Sequence, residues 1–249
     1  MIRTPDTVSF SGADNKTDLN ELLRISREWP QVEWGILLMP EKMHESRYPS
    51  WLFIERLGPM GMNTAVHLCG QYIFNDLLAE HTRNVALYHI KMFGKIQVNI
   101  NARTEHFTPE QVMKIYDVLY STGRKLILQY HSQSAETIKT WIKNRPNLDH
   151  SKLILLYDSS KGKGVTPDSW PEPQNEFELT LKRRFAGGIK PDNVLPQIAK
   201  ICEVPMVIET GYDIDLESGA RNEDNLFDPG ICESMLKAIY QPPVVESRE

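Results

Sequence analysis

The stretch RRFAGGIKPDNV, residues 183–194, runs from an apolar segment through an alanine and two adjacent glycines into Lys190-Pro191-Asp192-Asn193, which reads as the start of a helix. Glycine costs backbone entropy inside an element, so a pair at a strand-to-helix junction marks a tight turn or a close approach to the bare backbone. The same progression recurs along the chain. Short runs rich in Val, Ile and Leu appear as TVSFSG (7–12), VEWGILLMP (32–40), NTAVHLCG (63–70), KIQVNIN (95–101), KLILQYHS (125–132), KLILLYDSS (152–160) and RRFAGGI (183–189). Their starts lie 25, 31, 32, 30, 27 and 31 residues apart, the length of one βα unit. An eighth run falls within EVPMVIETGYDIDLESG (203–219), with Tyr212 to Leu216 the expected strand and Val204 to Ile208 its rival.

Helical signals lie between these runs. Thr108-Pro109-Glu110-Gln111 carries an N-cap Thr, Pro at the first helical position and Gln at the third, a capping box ahead of VMKIYDVLY. Asp18 with Glu21 repeats the pattern ahead of LLRISREW. Strand and helix alternating eight times predicts a parallel sheet, and eight units of this size close most simply into a (β/α)8 TIM barrel of the α/β class. A doubly wound open sheet is the rival topology. No linker or low-complexity segment divides the chain, so residues 1–249 read as one barrel domain with a loose tail, QPPVVESRE (241–249).

With 249 residues, 41% hydrophobic and 24% charged, the chain suffices for one large core. A net charge of −5 with scattered basic residues leaves no electrostatic footprint for nucleic acid or an anionic membrane. An anionic ligand must then be held locally. Cys69, Cys202 and Cys232 are odd in number and widely spaced, which argues against a disulfide framework or a CxxC metal site and for a reducing compartment. MIRTPDTVSF has no basic region followed by an apolar run, and no stretch approaches about 18 continuous apolar residues. The expectation is a cytoplasmic monomer or homodimer whose partner is a small phosphorylated molecule, with no nucleic acid and no membrane.

In such a barrel the chemistry sits where strands end, at the C-terminal mouth. That rule selects Ser11, Gly12 and Asp14; Pro40 and Glu41; His67 and Cys69; Asn99 and Asn101; His131; Asp158, Ser159 and Ser160; Gly187 and Gly188; and Asp215, Ser218 and Gly219. Polar residues at a mouth serve solvation as well as chemistry, so the constellation carries more than any member. The loops after strands seven and eight often build a phosphate site from backbone N–H groups and a helix N-terminus. Gly187 and Gly188 supply one half of such a site, and Ser218 and Gly219 in LESGAR (216–221) the other. Turn-making alone is the plainer reading of the same glycines.

LILLYDSSKGKGVTPDSW, FAGGIKPDNV and IDLESGAR resemble, in that order, the last three strand-loop motifs of the phosphoribosylanthranilate isomerase family. Those motifs are an L-L-D with a glycine-rich loop running to D-W, an A-G-G-L-x-P-E-N-V and a V-D-V-S-S-G-V-E. VSFSGADNKTDLNELLRI and HESRYPSW lie where the family has K-I-C-G-I-T and S-P-R-Y, and QYHS (129–132) loosely echoes its Q-L-H-G. The resemblance spans nearly the whole chain and is closest from Leu153 onward. It implies a (β/α)8 barrel and an Amadori rearrangement of an aminoaldose phosphate to an aminoketose phosphate in tryptophan biosynthesis, with no metal and no organic cofactor.

Asp158 stands where the family has the general acid that opens the furanose ring. The family's general base is a cysteine at the end of strand one, and that position here is Ser11. A hydroxyl has no useful basicity near neutral pH, whereas a thiolate with a lowered pKa does. Cys69, at the end of strand three, is the candidate for a relocated thiolate; a buried small hydrophobe is its other reading. His67 lies on the same face of that strand, two residues away. Arg47 matches the arginine that meets the aromatic carboxylate, with a solvated loop arginine as the alternative. His67, His131 and Gly164 complete the expected substrate-binding set, Gly164 ending a KGKG segment (161–164) placed to close over an anion. The segment between the seventh helix and IDLESG is longer than the family's, so a different phosphorylated substrate is an equal expectation.

Two other classes fit parts of this pattern. A metal-dependent barrel hydrolase would use His67, His131 and Asp158 as ligands, but the H-x-H pair of such enzymes is absent. A barrel that binds a phosphorylated ligand without turnover fits the missing cysteine; the presence of Asp158 argues for chemistry. The favoured expectation is an isomerase of phosphorylated sugar compounds using acid–base catalysis, with Asp158, Ser11 and Cys69 at its centre.

Overall fold

Eight strands form on the eight apolar runs, β7 starting one residue before its run: β1 Thr7–Ser11, β2 Val32–Leu38, β3 Thr64–Leu68, β4 Lys95–Val98, β5 Lys125–Gln129, β6 Leu153–Asp158, β7 Lys182–Ala186 and β8 Tyr212–Leu216. Each pairs in parallel with its sequence neighbours, and β8 closes on β1, so the sheet is a closed barrel. The computed structural model describes residues 2–79, 85–100, 106–158, 166–173, 178 and 180–241. Gly164 and the rest of KGKG, Asn101, Ser159, Ser160 and the tail beyond 241 lie outside the described residues. Among the described residues, no helix is long and apolar enough to cross a membrane.

The helices with described bounds are α1 Leu19–Glu28, α2 Trp51–Leu57, α3 Gln71–Leu78, α4 Val85–Ile90, α5 Pro109–Tyr120, α6 Ala135–Lys143, α7 Val194–Cys202, α8 Val207–Thr210 and α9 Pro229–Tyr240. Local chemistry starts two of them as expected. The Thr108 hydroxyl accepts from the Gln111 amide while the Gln111 side chain accepts from the Thr108 amide, and Asp18 caps α1 through the Asn20 amide. The segment that rivalled β8 is instead short helix: Met206 takes a left-handed φ of 63° and α8 follows, burying Val207.

One helix start differs from the reading of KPDNV. α7 begins at Val194, because the Asn193 side chain is spent on a turn, accepting from the Lys190 amide at 2.8 Å and donating to the Gly188 carbonyl at 2.9 Å. The glycine pair therefore leads into a turn rather than straight into a helix.

Alternation along the strands divides the core in two. Val8, Phe10, Trp34, Ile36, Val66, Leu128, Leu155, Phe185 and Ile214 face the helices in one large cluster, while Ala65, Ile127, Ile154 and Leu156 form a small separate one inside the barrel, with Ala186 against it. The rest of the lumen is polar. Fully buried Arg184 of β7 spans it, donating to Glu33 of β2 at 2.7 Å and to Asp213 of β8 at 3.2 Å. Lys95 pairs with the second Glu33 oxygen, and Lys182 joins Asp213 at 2.9 Å and Asp6 at 3.1 Å. Three acids thus meet three bases. Burial alone would push the Glu33 carboxyl up, but the Arg184 and Lys95 charges outweigh it and hold the carboxyl well below its usual range.

Removing one member of a buried ion network leaves its partners uncompensated, so Glu33→Gln should destabilise the barrel by about 3–5 kcal/mol in urea unfolding. The Glu33 contribution is full above the ordinary carboxylate pKa of about 4.3 and is lost as pH falls below it toward the depressed folded value. Acid unfolding of Glu33→Gln should accordingly depend less steeply on pH than that of the parent.

Candidate active site

Above the ion network, strand register aligns the polar residues of the mouth. Ser11 of β1 lies level with Gly35 of β2, and His67 of β3 with Gln97 of β4. The Ser11 hydroxyl donates to Asp215 Oδ1 of β8 at 2.7 Å, a buried contact between residues 204 apart in sequence. A Cβ on Gly35 would stand 2.3 Å from Ser11 Oγ and 2.9 Å from His67 Nε2, so only glycine allows these two side chains to face one another there. Gln97 Nε2 lies 3.2 Å from His67 Nδ1 and donates to Asn99 Oδ1 at 3.3 Å. His67 Nε2 is buried without a partner among the described residues. Burial pushes the His67 pKa below its ordinary value against the pull of Asp215, so the ring is neutral.

Cys69 follows β3 and is half-buried. Its thiol lies 3.7 Å from the His67 carbonyl, and Asn99 Nδ2 approaches the sulfur at 3.6 Å. Ser11, His67, Cys69 and Asp215 thus come together as one polar arc from β8 round to β4. Asp158 closes it from the other side: register sets Asp158 of β6 level with Ala186 of β7, and Ala186 level with Asp215. The two residues take equivalent register positions two strands apart, roughly 10 Å between their Cα atoms, and Asp158, at the very end of β6, also borders a cavity outside β5 and β6. Small Ala186 stands between the two residues.

The rim over β1 and β8 is built from arginines. Arg47, with a left-handed φ of 80°, donates its amide to Asp14 at 2.9 Å and its guanidinium to Glu217 and to Asn225 at 3.0 Å. Buried Arg221 ties three loops together through the Gly12 carbonyl at 3.1 Å, Ser46 Oγ at 2.9 Å and the Asn225 carbonyl. Burial, with the Arg47 charge beside it, lowers the Arg221 pKa.

The loops after β7 and β8 touch. A Cβ on Gly219 would stand 2.4 Å from the Ile189 carbonyl and 3.2 Å from Lys190 Cα, so the two backbones meet at a glycine. Gly187 and Gly188 adopt φ of 119° and 65°, open to glycine at no steric cost. Thr166 and Asn193 both donate to the Gly188 carbonyl, at 3.0 and 2.9 Å, which pins the peptide plane leading into Ile189.

His131 joins Asp158 rather than His67. Both line a cavity of about 450 Å³ against the outer side of β5 and β6, together with Lys139, Tyr130, Tyr157 and Glu178. Buried Glu178 accepts from Tyr130 at 2.6 Å and from Tyr157 at 3.0 Å. Among the described residues no group of three or more His, Cys, Asp or Glu side chains is placed to hold a metal ion.

Sequence reading missed Gly35, Gln97, Arg221 and Glu178. Gly35 carried a signal, since a glycine inside a strand often marks a close approach. Gln97 and Glu178 carried none, because only the fold shows what they touch.

No family model and no curated protein matches the chain. By three-dimensional comparison the chain is similar to TrpF from Jonesia denitrificans, with a TM-score of 0.56 at 14% identity, over 95% of this chain and 98% of that one. It is also similar to a truncated 3-deoxy-D-arabino-heptulosonate 7-phosphate synthase from Thermotoga maritima (TM-score 0.53, 14% identity, 93% and 84% covered). A third likeness is to the spore coat polysaccharide biosynthesis protein SpsE from Bacillus subtilis (TM-score 0.53, 9% identity, 94% and 67% covered). At these identities the relationship shown is one of fold, a (β/α)8 barrel, and not membership of the isomerase family.

Two glycine substitutions test the geometry. Gly35→Ala should force Ser11 and His67 apart and cost about 1–3 kcal/mol by overpacking, read by urea unfolding. Gly219→Ala should carry a similar cost and part the β7 and β8 loops, read as faster amide exchange at Ile189 and Lys190.

Proposed function

We propose that the chain binds a phosphorylated sugar or phosphoribosyl compound at its C-terminal mouth and isomerises it by acid–base catalysis of the aldose–ketose, Amadori type. The observation that carries this reading is the junction of the β7 and β8 loops, where Gly219 meets Ile189 and Lys190 beside Gly187 and Gly188. A barrel phosphate site draws backbone N–H groups from two such adjacent loops, and glycine leaves those amides uncovered by side chains. The three motifs that resemble those of phosphoribosylanthranilate isomerases begin on β6, β7 and β8, and the barrel fold is like that of TrpF.

Phosphate at this junction would hang the sugar over the lumen between Asp158 and Asp215. Asp158 is then the general acid: its proton goes to the ring oxygen as the C1–O bond breaks and the nitrogen lone pair forms the C1=N bond. Arg47 at the rim would meet an anionic group at the far end of the ligand by exchanging its Glu217 partner for it. Cytoplasmic location and a small-molecule partner belong to the same proposal.

Two measurements test it. Gly188→Asn keeps the left-handed backbone open to asparagine but adds a side chain over the amides, and should weaken ribose 5-phosphate binding sharply by calorimetry while leaving thermal unfolding within a few degrees of the parent. Unchanged affinity would refute the phosphate site. Asp158→Asn should retain binding within a few-fold and lose turnover of phosphoribosylanthranilate by at least about a hundredfold. Binding without turnover in the parent itself would leave a ligand-binding barrel that performs no isomerisation.

A further inference from the structure

We propose that Asp215, held by the Ser11 hydroxyl, is the general base of this barrel, taking over the proton abstraction assigned elsewhere to a cysteine at the end of the first strand. The inference rests on the isomerase reading of the mouth and names the group that reading lacks. Ser11 stands at the cysteine's position and cannot itself act as a base at neutral pH. What it does in this structure is donate to Asp215 Oδ1 at 2.7 Å. The residue in place of the thiol therefore positions a carboxylate, and carboxylates serve elsewhere as bases toward carbon acids.

Three observations single out Asp215 among the acids of the lumen. Glu33 has both oxygens in ion pairs, and so has Asp213 one layer below. Asp215 has only Oδ1 engaged, and Oδ2 accepts no hydrogen bond among the described residues. The residue keeps 8% of its surface exposed at the mouth end of β8, so this oxygen is not sealed in. Register sets it level with Asp158 across Ala186, the smallest side chain on that row able to leave room for a sugar carbon. Cys69, by contrast, follows β3, three strands from Asp158, with its sulfur against Asn99.

Among the described residues the charged and titratable groups facing Asp215 are Arg184 of β7, His67 of β3 and Glu33 of β2, with Asp158 of β6 two strands away and Asp213 and Glu217 on its own strand and the loop that follows. Burial keeps His67 neutral, so it adds no cation beside the base.

The step balances without a co-reactant. After Asp158 has protonated the ring oxygen and the C1–O bond has broken, Asp215 Oδ2 takes the proton from C2. The C2–H electron pair forms the C1=C2 bond, and the C1=N pair returns to nitrogen. The enaminol then loses its O2 proton and gains one at C1, giving the ketose with no net oxidation. Asp215 is the catalytic residue here; Ser11 is a positioning residue.

The test uses the full chain, with ribose 5-phosphate as the binding probe and phosphoribosylanthranilate as the turnover probe. Asp215→Asn should bind ribose 5-phosphate within a few-fold of the parent, lose at least about a hundredfold in turnover, and lose exchange of the C2 hydrogen with deuterium oxide. Ser11→Ala removes a hydrogen bond to the charged carboxylate, so it should move the acidic limb of the pH–rate profile upward as well as slow the reaction, a shift that a merely structural role would not produce. That profile tests the assignment even if Asp215→Asn does not fold. Turnover surviving in Asp215→Asn while lost in Cys69→Ser assigns the base to the thiolate and overturns the proposal, as does an unmoved profile in Ser11→Ala. A parent that binds ribose 5-phosphate but neither converts phosphoribosylanthranilate nor exchanges its C2 hydrogen overturns the base and leaves the binding reading intact. A parent that binds neither probe overturns that reading itself.

Discussion

Arg184 carries the barrel. Its guanidinium lies wholly inside the lumen and reaches from β7 to Glu33 on β2 and to Asp213 on β8, so it braces strands from different parts of the closed sheet. Burying a cation is costly, and here the cost is offset because each charge meets an opposite one: Lys95 takes the second Glu33 oxygen and Lys182 the second Asp213 oxygen. The backbone ladders and the helix-facing apolar side already resist a one-residue slip, which would turn every side chain to the wrong face. Directed ion pairs between named strands favour one register, and register decides which residues share a level at the mouth.

The level above the network depends on that choice. Glu33 and Gly35 are two residues apart on β2, Arg184 and Ala186 on β7, and Asp213 and Asp215 on β8, so each charged anchor has a mouth residue directly above it. Two of those three mouth residues are small. Gly35 makes the space in which Ser11 faces His67, and Ala186 the space between two carboxylates. The opposite wall, Ile127, Ile154 and Leu156, is apolar and supplies packing in place of charge. The lumen is thus apolar at β5 and β6 and charged from β7 round to β2, with Lys95 of β4 reaching in to Glu33.

Glycine at the loops plays a different part from glycine in the strand. Gly219 lets the β8 loop lie on the β7 loop, and Arg221, just after it, ties the same loop to Gly12 and Ser46. Loops that would move independently are joined into one rim by a backbone contact and a guanidinium. Preorganised donors of this kind lose little freedom when a ligand arrives.

The barrel itself was legible in the sequence because its signals are local. The apolar runs, their spacing, the Thr108 capping box and the Asp18 cap all depend on residues a few positions apart, and each lies where the chain alone indicates. The strand-end rule likewise put Ser11, His67, Cys69, Asp158 and Asp215 on the mouth. Where local chemistry competed with itself the reading slipped, as at Asn193, whose side chain makes a turn and delays α7 to Val194. What no periodicity could reveal was who meets whom. Ser11 and Asp215 are 204 residues apart, and Arg184 and Glu33 are 151 apart. Those meetings exist only once the sheet has closed in a single register, because strand alternation tells which face a side chain takes, and closure alone tells what stands across from it.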